Sequence, residues 1–406
     1  MRVVLISAFM DPESVGEPRW CYDLAKGIAD RVETVVISQK PLIAKASISE
    51  LFPTSQVFEI DGWTFNWLNR RMRALIKPGF IRFYQHAAHV LRHRIDKASI
   101  TCGHQFGPLG MRYPTPLRNW GVPYVIGPLG GSLPLPPGLD VGERKDPWYY
   151  KLRDLDGLRF RHDPMLRSSY ANAGALVGVG DYVRDVLHDI PLRRFETHSQ
   201  RVAQPAPVDV EPVITARRNS SGPLRLLIAG RLIHSKGVHY ALRALAQASP
   251  QLPEWRLDIA GDGYYRPVLE GLAQSLGIAD RITFHGHRKR IELDAFYTQA
   301  DILLFPTIRE PSGAVIFEAM SWGVPIITAD YGGPATHVLP GFGIKAPVTS
   351  EAAFVDGIAD ALVRMGNDPG LREQMGREGL HVARTKHSLP AMVDFFTRIY
   401  GEIGKQ

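Results

Sequence analysis

Two glutamates, Glu310 and Glu318, carry the clearest chemical signal in this 406-residue chain. They lie in PTIREPSGAVIFEAMSWG, residues 306–323, which follows an apolar strand-like run ending at Phe305 and leads into a helical pattern. Glu310 falls just before the helix and Glu318 about two turns inside it. Ser312 is expected to cap the helix and Gly323 to end it in a left-handed turn. First-turn amides have no partner inside a helix and offer a seat for phosphate oxygens without any side-chain charge. That seat would be formed around Ser312, Gly313, Ala314 and Val315. The plainer alternative is that Glu310 only complements the helix dipole while Glu318 is a surface residue.

A second constellation is Gly230-Arg-Leu-Ile-His-Ser-Lys-Gly237. It follows the apolar run Leu224–Ala229, so Arg231 and Lys236 stand five apart on a loop beyond a strand end. Two cations there can clamp a diphosphate and stabilise it as a leaving group. Alone they would be an ordinary surface Arg and Lys. Beside the glutamate pair they complete a match to a ligand with sugar hydroxyls, a diphosphate and ribose hydroxyls in series.

The elements that must position these residues are short apolar runs alternating with amphipathic helices. Strands are expected at Val3–Ser7, Thr34–Ser38, Val57–Ile60, Val122–Ile126 and Leu176–Val179, then at Leu224–Ala229, Arg256–Ala260, Ile282–Phe284, Ile302–Phe305 and Pro325–Thr328. Helices are expected at Arg19–Arg31, Val238–Ala248, Tyr264–Leu276, Glu292–Gln299 and Pro390–Ile403. Continuous apolar strands covered on both faces mean parallel sheets wrapped by helices, and the pattern runs twice. The fold class is therefore α/β, two Rossmann-like doubly wound domains facing across a cleft, with ligands beyond the carboxyl ends of the strands. The boundaries are 1–204 for the first domain, 205–222 for a Pro/Gly-rich linker, 223–388 for the second, and 389–406 for a terminal helix packing back toward the first. The Gly/Pro-rich passage from Phe106 to Gly142 is either a functional loop or a chain of plain turns.

Composition excludes several classes. With 45% hydrophobic and 22% charged residues the chain is neither disordered nor a polytopic membrane protein. The start reads as a buried strand instead of a signal peptide. Cys21 and Cys102 cannot make a disulfide framework and read as buried hydrophobes, so a cytoplasmic address is the default. The net charge of +7 is concentrated between Asp61 and Lys97, where Arg70, Arg71, Arg73, Lys77, Arg82, Arg92, Arg94 and Lys97 alternate with aromatic and aliphatic residues. This suits an anionic membrane surface, or a pair of amphipathic helices broken at Pro78-Gly79, more than nucleic acid.

The second half resembles the donor domain of a retaining glycosyltransferase of family 4, with the GT-B fold. The resemblance rests on GRLIHSKG at 230–237, WRLDIAGDG at 255–263, RITFHG at 281–286, ADILLFPTIREPSGAVIFEAMSWGVPIITADYGG at 300–333 and DPGLREQMG at 368–376. It implies that Gly230, Arg231 and Lys236 meet the diphosphate, that Glu310 takes the donor sugar's hydroxyls and that the amides of Ser312, Gly313, Ala314 and Val315 hold the distal phosphate. Glu318 would take the ribose hydroxyls, and the backbone near His285, Gly286 and Arg288 would border the base. Gly261, Asp262 and Gly263 would shape a strand-end turn.

The first half resembles the acceptor domain of that family more weakly. Its loop Asp11–Pro18 carries Gly16 and Glu17 where the family places glycines that approach donor and acceptor. No histidine occupies the family's usual position near the reacting carbon. Instead Tyr124-Val-Ile-Gly-Pro-Leu-Gly-Gly131 resembles a subgroup in which such a turn, with Gly130 and Gly131, lines the cleft. His104 is the nearest polar candidate, with a structural histidine as the alternative.

The resemblance implies transfer of a sugar, with retention, from a nucleoside-diphosphate sugar, UDP favoured, in surface polysaccharide or glycolipid synthesis. No cofactor and no metal ion are expected, since no clear Asp-x-Asp site stands among the donor motifs. Asp154-Leu-Asp156 has the letters but lies in a basic stretch outside them. The expected partners are the donor, a saccharide or lipid-linked acceptor and an anionic membrane surface, without nucleic acid, at the inner face of the plasma membrane. A soluble small-molecule acceptor, a GT-B nucleotide-sugar epimerase and a non-catalytic sugar-nucleotide-binding protein are the alternatives.

Overall fold

The computed structural model describes residues 1–62, 79–136, 138–139 and 156–405. The chain divides into two units. The first holds the described residues of Met1–Ser132, Lys145–Gln200 and Leu389–Gln406. The second holds those of Leu133–Arg144 and Arg201–Ser388.

In the first unit, β1 (Arg2–Ser7), β2 (Glu33–Gln39), β3 (Gln56–Ile60), β4 (Cys102–Gly107), β5 (Tyr124–Leu129), β6 (Ala175–Gly178) and β7 (Phe195–Thr197) form one sheet in the order β3-β2-β1-β4-β5-β6-β7. The paired strands run parallel. Val3, Val4, Leu5 and Ile6 are all fully buried, as a strand covered on both faces requires. The order reverses between β1 and β4, which makes the crevice beyond their carboxyl ends the place for a ligand in a sheet of this kind. The helix Glu17–Ala29 turns Trp20, Cys21, Leu24, Ala25 and Ile28 inward and packs on the helix Leu389–Ile403, whose Met392, Phe396, Ile399 and Tyr400 are buried.

The second unit repeats the plan with β8 (Leu224–Ala229), β9 (Trp255–Ala260), β10 (Ile282–Gly286), β11 (Ile302–Phe305), β12 (Ile326–Ala329) and β13 (Gly343–Ala346), ordered β10-β9-β8-β11-β12-β13 and parallel throughout. Its reversal lies between β8 and β11. The loops after these two strands are the two segments that the sequence singles out.

Four expectations change. Cys102–Gly107 is itself a strand, fully buried along its length, although its glycines, His and Gln hide it from an apolar reading. The strand expected at Val122–Ile126 starts at Tyr124 and runs on to Leu129. The proposed linker 205–222 contains a helix, Glu211–Arg218, with Ile214 buried. Its Arg217 guanidinium donates to the carbonyls of Ala300 (2.7 Å), Trp322 (2.7 Å) and Gly323 (3.0 Å). Ala300 and Trp322 cap the C-termini of two helices, so a cation there satisfies orphan carbonyls and opposes the helix dipoles. Finally, residues 133–136 and 138–139 go with the second unit: Leu133 is buried, Tyr331 Oη donates to Pro134 O at 3.1 Å and Arg309 Nε to Leu133 O at 3.2 Å.

Part of the basic, aromatic span, residues 63–78, lies outside the described residues. In the described part, the helix Gly79–His93 sends Phe80, Phe83, Ala87, Ala88 and Leu91 into the core and leaves Arg82, Arg92 and His93 exposed. Phe80 packs against Tyr113 with centroids 4.9 Å apart. These aromatics serve the core.

Candidate functional site

The loop 230–237 leaves β8, crosses a short 3-10 turn at His234–Lys236 and enters the helix Val238–Ala248 through Gly237 at φ 65°. A Cβ on Gly237 would stand 2.0 Å from the Pro306 carbonyl oxygen, so this residue must be glycine for two separate reasons. Ile308 N donates to Ser235 O at 3.1 Å, which ties the loop after β8 to the loop after β11. A third loop closes the arrangement. Gly333 N donates to Glu310 O at 2.9 Å, and a Cβ on Gly333 would lie 2.3 Å from Pro311 O.

Across this junction the structure joins two of the residues chosen from sequence. Lys236 Nζ lies 2.7 Å from Glu310 Oε2, both side chains about one-fifth exposed, and Nζ stands 5.7 Å from the centroid of the Phe305 ring. The other carboxylate oxygen, Oε1, accepts from Ser312 N (3.3 Å) and Gly313 N (3.0 Å). The helix Ala314–Ser321 is therefore capped otherwise than expected. Gly313, at φ 81°, and not Ser312, is the N-cap residue. Glu310 does that work from three residues upstream. Burial acts to raise the Glu310 carboxyl pKa, but Lys236 and the two amides outweigh it and hold it below the ordinary carboxylate value.

Glu318 lies in a different environment. Its Oε2 accepts from Tyr297 Oη at 2.8 Å and its Oε1 is 3.4 Å from Arg290 Nε. Burial raises its pKa, and Arg290 and Tyr297 offset only part of the effect. Arg290, Asp294 and Tyr297 occupy one face of the helix Arg290–Gln299 at i, i+4 and i+7, a spacing visible in the sequence but not used there. Arg231 is exposed at the start of the loop after β8, and Gly230 N donates to Ala260 O at 3.0 Å. Gly261 and Gly263 have the turn-shaping role expected, with Leu232 N donating to Asp262 O at 2.9 Å. His285 turns its ring to Asp258 (Nε2 to Oδ1, 2.7 Å), Gly286 takes φ 71°, and Arg288 stands 3.8 Å from Glu292.

In the first unit, Gly16 (φ 75°) is the N-cap of the helix Glu17–Ala29, and Glu17 Oε1 accepts from Leu109 N at 2.8 Å. Gly130 N donates to Leu109 O at 2.8 Å and Gly131 N to Tyr182 Oη at 3.1 Å. The turns after β1, β4 and β5 are thus knitted at the carboxyl edge of this sheet. Two residues missed from sequence join them. Asp156 accepts from Arg112 (2.5 Å) and Ser132 Oγ (2.6 Å), which gives the second Asp of Asp154-Leu-Asp156 a buried structural partnership; Asp154 lies outside the described residues.

His104 is corrected. It sits within β4, fully buried, with Nε2 at 2.7 Å from Gly127 O and Nδ1 at 2.5 Å from Tyr400 Oη. Burial lowers its pKa from 6.5 to about 3, so it is neutral. A ring packed between Phe106 and Phe396 has no access to a substrate.

Two α/β units, each with its reversal point framed by strand-end loops, and an Arg/Lys loop tied to an E-x7-E helix form a pattern that can be compared with known proteins. Residues 213–381 match the family model described as glycosyl transferases group 1. The alpha-D-kanosaminyltransferase of Streptomyces kanamyceticus is 32% identical over 180 residues, covering 44% of this chain and 46% of that protein. The lipopolysaccharide core biosynthesis glycosyltransferase LpsD of Rhizobium meliloti (strain 1021) is 30% identical over 207 residues, covering 49% and 54%. The chain thus spans about half the length of these curated relatives. The solved structure of Anabaena Alr3699/HepE in complex with UDP is similar over 99% of this chain and 100% of its own, with a TM-score of 0.58 and 16% identity. The fold is that of GT-B glycosyltransferases.

Proposed function

We propose that this protein is a retaining glycosyltransferase that moves a sugar from a nucleoside-diphosphate sugar, UDP favoured, to a hydroxyl of a lipid-linked saccharide. The observation that carries the reading is the Lys236–Glu310 pair at 2.7 Å, which brings together the loops after β8 and β11 at the point where the strand order reverses. A cation, a carboxylate and a helix N-terminus converge there. In this reading Lys236 and Arg231 neutralise the diphosphate, the amides of Ser312, Gly313, Ala314 and Val315 take its distal phosphate, and Glu310 and Glu318 accept from sugar and ribose hydroxyls. The bond from the anomeric carbon to the phosphate oxygen breaks as the bond to the acceptor oxygen forms on the same face. The acceptor proton passes to the departing phosphate. The protein's part is to stabilise charge and to align the acceptor, with no metal ion.

The UDP preference is supported by the UDP complex of the Anabaena structure, and the lipid-linked acceptor by the name of the Rhizobium relative. A second feature favours contact with an anionic membrane. Leu42 and Ile43 are 74% and 57% exposed between Lys40 and Lys45, on a loop whose amides at Leu42, Ile43 and Ala44 all donate to the buried Asp11 carboxylate. Two exposed aliphatic side chains on a loop anchored by three amides, beside Lys45 and a Lys40 that pairs with Asp61 at 2.7 Å, suit the interface of a bilayer. Among the described residues no helix is long and apolar enough to cross one.

The test is a thermal-shift panel with UDP, GDP, ADP, CDP and dTDP at millimolar concentration in chelator. One nucleotide is expected to stabilise the protein by ~2–3 kcal/mol at about a hundred times its Kd. A flat panel refutes the donor site. A response that appears only with added Mn²⁺ refutes metal independence.

A further inference from the structure

We infer that Glu310 is a built-in substitute for phosphate: its carboxylate fills the anion seat when no ligand is bound, and it thereby makes the second unit discriminate between the intact donor and the spent nucleoside diphosphate. The inference rests on the donor-site reading above.

Its basis is the geometry of one side chain. Oε1 accepts from two consecutive backbone amides, Ser312 N and Gly313 N, and Oε2 from Lys236 Nζ. These are the partners that a phosphate oxygen pair would seek at a helix N-terminus beside a lysine. The carboxyl is held in its charged form by the same three contacts. An incoming diphosphate therefore meets a Lys236 whose charge is already compensated and amides already engaged.

The loop gives the carboxylate no other way to leave. Glu310's own carbonyl is pinned by Gly333 N, and the neighbouring Pro306 carbonyl lies against Gly237 with no room for a Cβ between them. Phosphate can displace the carboxylate by rotation of the Glu310 side chain, and the backbone stays in place.

The displaced carboxylate then needs hydrogen-bond donors, because leaving a charged acceptor unpaired is expensive. A donor with its sugar attached supplies hydroxyls. A nucleoside diphosphate without sugar supplies none at that end. Glu310 thus changes partners when the sugar is present and competes with the phosphate when it has gone. Departure of the sugar onto the acceptor returns the carboxylate to Lys236 and the amides, and the diphosphate is released from a seat that its competitor reclaims.

The experiment is calorimetric titration of the full chain with inorganic pyrophosphate, and separately with UDP, in wild type, Glu310→Ala and Glu310→Gln, with Lys236→Met as a control. Removing the competing charge is expected to tighten pyrophosphate by ~10-fold or more, a change in Kd that titration resolves easily. Lys236→Met is expected to weaken it. Pyrophosphate binding that is equal or weaker in a folded Glu310→Ala or Glu310→Gln protein overturns the inference while leaving the donor site intact, provided the wild type binds UDP. Failure of every protein to bind UDP or pyrophosphate overturns the donor-site reading as well. The glutamine variant keeps the shape of the side chain, so one of the two remains informative if the alanine variant does not fold.

Discussion

Replacing Tyr400 with Phe tests whether His104 holds the first unit together or takes part in chemistry. The Gly127 carbonyl can only accept, so His104 Nε2 carries the proton and Nδ1 is the acceptor for the Tyr400 hydroxyl. Tyr400→Phe deletes that hydroxyl without opening a cavity and strands a buried ring nitrogen. A lost hydrogen bond with one buried partner left unpaired costs ~1–3 kcal/mol. For a unit of this size each kcal/mol shifts the midpoint by ~2–4 °C, so a fall in Tm of about 2–12 °C is expected, with sugar-transfer kcat/KM nearly unchanged. A pH series adds a second readout. His104 has an ordinary pKa of 6.5 and one of about 3 when folded. Between those values the unfolded chain binds a proton that the folded chain refuses, so this residue's contribution to stability is complete above pH 6.5 and is lost as pH falls toward 3. His104→Gln should flatten that part of the curve. Differential scanning fluorimetry between pH 4 and 8 and a transfer assay make both measurements. An unchanged Tm in either variant, together with a loss of turnover of ~10²-fold or more in His104→Gln, would refute the structural assignment and restore a proton-transfer role.

Two further perturbations follow from the loops. Gly237→Ala forces a left-handed backbone onto a residue whose Cβ meets Pro306 O, at a cost of ~1–3 kcal/mol. It should separate Lys236 from Glu310 and cut transfer by ~10-fold or more; a variant with native Tm and native turnover contradicts the proposed junction. Leu42→Asp with Ile43→Asp should abolish flotation with anionic vesicles at low salt while leaving the nucleotide thermal shift intact. Flotation that survives in the double variant moves the membrane contact elsewhere.

Much of the sheet architecture is legible in the chain because parallel strands buried on both faces must be continuously apolar. Val3–Ile6 and Ile302–Phe305 announce themselves in this way. Cys102–Gly107 does not: its His and glycines become tolerable only once Gly127 and Tyr400 supply hydrogen bonds from distant parts of the chain. The helix Glu211–Arg218 is hidden for a similar reason. Two consecutive arginines beside Asn-Ser-Ser-Gly look like solvent-facing linker until the carbonyls that Arg217 caps are in place. The donor-side residues are found early since strand, loop, cap and helix are contiguous and each segment can be read alone. Their pairings are not. That Glu310 caps its own helix, and that Glu318 is held by Arg290 and Tyr297, depend on side-chain directions between segments far apart in the chain.

The discontinuity of the first unit sets an order of events during synthesis. Residues 201–388, with 133–139, emerge from the ribosome as a complete set of strands and helices, while the unit that began earlier still lacks Leu389–Ile403. At ordinary elongation rates the early strands wait roughly 10–40 s for Phe396, Ile399 and Tyr400 to cover the apolar face of Glu17–Ala29 and the polar ring of His104. During that interval the apolar face of Glu17–Ala29 lacks the helix that packs on it. A chain stalled or cleaved near residue 388 would carry the strands and helices of the second unit but lack the fifteen-residue helix that packs on Glu17–Ala29 in the first.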